Sequence, residues 1–397
     1  MNSTASQMMN PPKVLPASVN EETDTQRLPA LDGVRGLGIV MVVFWHYVVW
    51  QINPAGLSTP WAFLYRLSCA SWTGVDLFFV LSGFLIGRIL LDMQGAGNFL
   101  GVFYLRRACR ILPLYYGLLA LYFFVITFLP IDRNFQRVFH PQLPLWPYFC
   151  FLQNLGGSIW LGRNTAALAV TWSLAVEEQF YLVLPLLVLS LPRAAIARLM
   201  AVVLIISPAI RYFTVRNGDV NLDFTMGNFT RLDGLAWGVL LALAFRNKHI
   251  WRSMVAGRNY FLAAWLMITP LALIWGNALL RSAALPFYTS IFAFSYALLI
   301  FLTISQPNNV FEKMLSLKWI TSTGISAYGI YLLHLPILNL IGIYYVEYIG
   351  GLSIWIQITL PLIAIAATWL LANLVNRLIE KPMIAWGHRF RLYGDRS

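Results

Sequence analysis

The chain has 397 residues, of which 59% are hydrophobic and 11% charged, with a formal net charge of +12. A soluble domain carries about twice that share of charge, and a mean hydropathy of +0.67 excludes a soluble chain with an ordinary core. The basic residues fall in short loops between apolar runs, so a nucleic-acid partner is excluded as well: no soluble basic domain exists to hold a duplex.

Residues 1–30 are polar and include Pro11, Pro12, Pro16, Glu21, Glu22 and Asp24. They read as a disordered cytoplasmic tail and not as a signal peptide, because the apolar run starts too late and has no basic n-region. Ten spans are expected, at 31–50, 70–91, 111–130, 170–191, 195–213, 231–246, 259–276, 284–304, 319–343 and 353–378, each near the ~20 residues a bilayer needs. The sixth is short. Trp146–Leu155 is too short to cross and reads as re-entrant or interfacial. The fold class is therefore an all-α polytopic membrane bundle in one domain, residues 31–382, followed by a basic tail, 383–397. Cys69, Cys109 and Cys150 form no CxxC pair and read as packing thiols.

Basic loops set the expected orientation. With the N-terminus inside, the outer segments hold Arg66, Arg133, Arg137, Arg163, Arg211, Arg216, Arg231 and Arg281, and the larger share of the cations stays inside with both termini. That topology sorts the polar residues into two layers. Arg35, Arg88, Arg106, Arg107 and Arg110 fall on the cytoplasmic side. His46, Asp76, Glu177, Glu178, Arg231 and Asp233 fall toward the outside, and His334 lies past the middle of span nine.

Ionisable groups inside a span are costly and mark function by default. Arg35 and His46 are eleven residues apart on span one, about three turns and roughly 16 Å of rise, on nearly one face. His46 can act as a general base or be a buried ring bonded to a carbonyl. Arg107-Ala108-Cys109-Arg110 sets two guanidinium groups one turn apart, which can clamp phosphates or anchor the chain among lipid headgroups. Glu177 and Glu178 point about 100° apart, so they divide into different roles or form an ion pair between spans. Asp76 is a carboxylate that needs a partner. Near it in sequence, Ser82 and Gly83 read either as packing residues or as part of a site. Trp172, Arg231, Asp233 and His334 are candidate substrate contacts. Arg231 and Asp233 also read as a self-paired helix start, and His334 as a cap for backbone freed by Pro336. Glu380-Lys381-Pro382 reads as a structural close to the last span. No metal-ligand spacing, P-loop or GxSxG elbow is present.

Seven strings, in order, resemble the bacterial membrane acyltransferase family 3: Leu31–His46, Gly74–Leu85, Tyr104–Tyr115, Trp172–Tyr181, Arg231–Gly234, Ser326–Pro336 and Glu380–Pro382. The resemblance implies a multi-pass inner-membrane O-acyltransferase. It would move an acyl group, expected to be acetyl, from cytoplasmic acyl-coenzyme A to a hydroxyl of a carbohydrate or lipid-linked acceptor across the bilayer. Acyl-coenzyme A would be a co-substrate, with no permanently bound cofactor. The resemblance makes Arg35 and His46 the RX10H pair and Arg107 with Arg110 the RxxR pair. His46 would act as base or as acyl-accepting nucleophile, oriented by Glu178, Glu177 or Asp76. Larger family members carry a soluble domain after the last span, and none is expected here. The rival reading is a transporter or flippase using the same polar layer, whose mark would be two related halves with broken helices.

Overall fold

The computed structural model describes residues 28–52, 58–128, 144–155, 167–216, 229–279, 285–349 and 354–391. Residues 1–27 of the expected tail, the end of the basic tail, and Arg133, Arg137, Arg163 and Arg281 lie outside this set. Among the described residues the chain is helical throughout, with no strand.

In chain order the helices are α1 Pro29–Tyr47, α2 Thr59–Cys69, α3 Gly74–Met93, α4 Phe99–Phe128, α5 Trp146–Phe149, α6 Thr171–Ser190, α7 Arg193–Arg216 and α8 Leu232–Arg246. They continue with α9 Lys248–Ala256, α10 Arg258–Leu279, α11 Leu285–Ile304, α12 Val310–Leu315, α13 Lys318–Ile325, α14 Ala327–Ile349, α15 Ile354–Val375 and α16 Lys381–Gly387. A π-helical turn, Asn376–Glu380, joins α15 to α16.

Each of the ten expected spans overlaps helical structure, yet the described residues hold seven helical stretches long and apolar enough to cross, or eight if α13 and α14 count as one. α8 is one reason for the difference: its 15 residues rise about 23 Å, short of the ~30 Å hydrocarbon core. The ninth expected span is not continuous. α13 and α14 meet at a 74° bend around Ser326, whose hydroxyl bonds Asn373 Oδ1 at 2.9 Å and accepts from Asn376 Nδ2 at 3.0 Å. Side chains from the end of α15 and the π turn thus replace helical continuity at the break.

The outward faces of the long helices are apolar. Leu121 and Phe124 on α4, Leu182 and Leu189 on α6, and Leu370 and Leu374 on α15 are all exposed, as a surface in contact with lipid requires. Inside, glycines let backbones meet. A Cβ at Gly33 or Gly36 of α1 would strike the carbonyls of Leu315 and Ile320, and one at Gly324 would strike that of Asp32. Gly83 of α3 and Gly238 of α8 rest on each other's helices in the same way. Small residues at such crossings are the usual means of helix association in membranes. The 146–155 segment is the single turn α5 followed by tight turns. It is tied down by Tyr115 OH to Tyr148 O, 2.9 Å, and Gln179 Nε2 to Phe151 O, 2.7 Å.

Candidate functional site

Arg35 from α1 and Arg107 and Arg110 from α4 converge on one cavity of about 800 Å³. Its other walls come from Phe78 and Ser82 of α3, Ser173, Glu177 and Tyr181 of α6, Tyr328 and Tyr331 of α14, and Glu380, Lys381 and His388 at the chain's last turns. Arg35 donates to Asp32 Oδ1 at 2.5 Å. Arg107 lies over the rings of Phe103 and Tyr181, at 5.9 and 5.7 Å. Among the described residues neither Arg107 nor Arg110 has a carboxylate within ion-pair distance. Two guanidinium groups one turn apart that touch no carboxylate repel each other, and an anion with several oxygens relieves that repulsion with charge-assisted bonds. Glu380 and Lys381, read from sequence as a structural close, line this cavity. The π turn that precedes Pro382 redirects the chain and delivers them there, a common use of such turns.

The paired glutamates separate as their 100° spacing requires. Glu177 lines the cavity and accepts from Ser82 Oγ and Tyr181 OH, both at 3.0 Å. Glu178 does not line it, and its buried Oε1 has no hydrogen-bond partner among the described residues.

His46 lies at the far end of α1 from Arg35 and outside the cavity lining. Its Nδ1 faces Val42 O at 2.9 Å, so Nδ1 carries the hydrogen and Nε2 keeps the lone pair. The orienting group is thus a backbone carbonyl. None of Glu177, Glu178 or Asp76 takes the place expected for it. His334 is fully buried, with its ring centre 5.0 Å from that of His46. Tyr331, in the cavity wall, lies 5.7 Å from His334. His46 and Tyr331 thus both neighbour His334, and of the three only Tyr331 lines the cavity.

Trp172, Arg231, Asp233 and Asp76 belong to a different cluster. Arg231 pairs with Asp76 at 2.9 Å, and Arg211 pairs with Asp233 at 2.7 Å. Ser290 bonds both members of the second pair, and Arg211 also reaches the carbonyls of Pro286 and Thr230. Arg231 lies over the rings of Trp72 and Trp172. All four charged side chains are almost wholly buried, and none opens on the arginine cavity. Arg231 is not paired with its neighbour Asp233, as a self-contained helix start would need, but with α3. Arg211 counted in the sequence only among the cations of the outer segments. Two carboxylates inside spans and one evident arginine was the signal that a second cation had to be found.

The family model for the acyltransferase domain matches residues 28–373. The chain belongs to acyltransferase family 3. This family member is 27% identical over 380 residues to the O-acetyltransferase OatA of Staphylococcus aureus, covering 90% of this chain and 57% of the relative. It is 27% identical over 386 residues to the peptidoglycan O-acetyltransferase OatA of Listeria monocytogenes, covering 90% and 56%. A putative peptidoglycan O-acetyltransferase of Bacillus subtilis, YrhL, is 28% identical over 385 residues, covering 91% and 56%. The acyltransferase 3 chain spans a little over half the length of these relatives. No solved structure matches it.

Proposed function

We propose that the chain is an O-acetyltransferase that takes its acetyl group from acetyl-coenzyme A on the cytoplasmic side and passes it to a hydroxyl of a cell-surface carbohydrate. Peptidoglycan is the acceptor named for its relatives. The observation that carries this reading is the cavity: Arg35, Arg107, Arg110 and Lys381 surround a space that their own carboxylates leave underneutralised. The phosphates of coenzyme A suit such a site. The pantetheine arm would then run past Tyr331 toward the histidines. The eleven-residue spacing on α1 sets a reach of roughly 16 Å between anchor and reacting ring. At the far end, His46 Nε2 offers the lone pair for base or nucleophilic chemistry.

Purified protein in lipid nanodiscs tests the donor. With labelled acetyl-coenzyme A and soluble glycan strands, free coenzyme A and acetylated glycan should form together. A protein that binds and releases sugar without releasing coenzyme A would overturn the reading in favour of a transporter.

A further inference from the structure

His334 has no part in the chemistry so far, yet its ring packs against that of the reacting histidine. Its Nδ1 donates to Tyr331 O at 2.7 Å, which leaves the lone pair on Nε2. That atom is buried and has no hydrogen-bond partner among the described residues. Buried nitrogens without partners are rare and call for an explanation. The hydroxyls around it are committed elsewhere. Tyr47 OH, from α1, donates to the His334 carbonyl at 2.6 Å and meets Thr368 Oγ1 of α15 at 2.7 Å. Tyr331 OH donates to Val170 O at 2.9 Å and meets Ser173 Oγ of α6 at 2.5 Å. Among the described residues no carboxylate or cation other than the facing imidazole acts on either histidine ring. What remains to exchange a proton with His334 Nε2 is His46, its ring centre 5.0 Å away, and whatever enters past Tyr331.

We propose that His46 and His334 form a two-station proton relay that links the acceptor hydroxyl to the departing sulfur. The proposal rests on the acyl-thioester reading above. The acceptor oxygen bonds to the acyl carbon as its proton passes to His46 Nε2. That proton moves on to His334 Nε2. The carbon–sulfur bond then breaks, and the thiolate takes the proton from His334. One proton has travelled from oxygen to sulfur, one ester has formed, and both rings are neutral again. The contacts fit this traffic, because His334 packs on Tyr331 of the cavity wall and the partly exposed His46 packs on His334.

The test uses full-length protein in nanodiscs. Coenzyme A release from acetyl-coenzyme A by the wild type is measured first, and its absence overturns the donor reading, separately from the relay. In His334→Gln, kcat should fall about 100-fold, within the usual range for acid–base groups. The KM for acetyl-coenzyme A should hold, and the acid inflection of the pH–rate profile should move. Unchanged kcat, or lost activity with an unmoved inflection, overturns the relay. Should neither His334→Gln nor His334→Asn fold, the wild type labelled with ¹⁵N-imidazole decides. Mutually dependent titration of His46 and His334 supports the relay, and independent titration overturns it.

Discussion

The molecule holds two clusters of buried charge, and they are built on opposite plans. In the Asp76–Arg231–Asp233–Arg211 cluster every cation meets a carboxylate, two tryptophan faces cover Arg231, and four helices are tied together. In the Arg35–Arg107–Arg110 cluster the cations border open space, and two of them have no carboxylate partner among the described residues. Charge inside a membrane span is therefore not in itself a sign of a ligand site. An unbalanced charge beside a cavity is, because only there does something from outside complete the electrostatics.

The comparison breaks first at the fully paired cluster. Arg211→Ala leaves Asp233 buried without its cation and should cost about 3–5 kcal/mol, read as a lost or sharply lowered melting transition in detergent. The same truncation in the open cluster should behave in the opposite way. Arg107→Ala and Arg110→Ala should leave the melting temperature near wild type while each removes about 1.5–3 kcal/mol of acetyl-coenzyme A binding, measurable by calorimetry. Equal loss of fold in both clusters would erase the distinction. His46→Ala should reduce acetyl transfer by about 10²–10⁴-fold with donor binding intact, which separates the anchor from the reacting ring. The smallest effect is expected from Ser82→Ala. It deletes one hydrogen bond to Glu177 and should cost about 0.5–1.5 kcal/mol of stability, visible as a small shift in the same melting curves.

Much of this arrangement was legible in the chain itself. Arg35, Arg107 and Arg110 stand out because guanidinium groups are rare in apolar runs, and their meeting in one cavity follows from helices crossing the same layer. Partners were not legible. Asp76 is 155 residues from Arg231 and Asp233 is 22 from Arg211, and no local period announces pairings made by helix packing. The same holds for Lys381 and Glu380, whose place in the cavity depends on a π turn with no signal beyond Pro382. Carboxylate orientation of His46 was expected by analogy with triads. The nearer carbonyl, one turn back on its own helix, is always available to a helical histidine and takes that place.

The contact between α1 and the α12–α13 segment has one more consequence. Gly33 and Gly36 sit directly on the carbonyls of Leu315 and Ile320, and Gly324 returns the contact to Asp32, so α1 has no slack to slide or roll. A helix wedged so tightly works as a fixed ruler. Donors would then be sorted by length: one whose acyl carbon sits too near its phosphates would dock among the arginines and leave that carbon stranded short of His46.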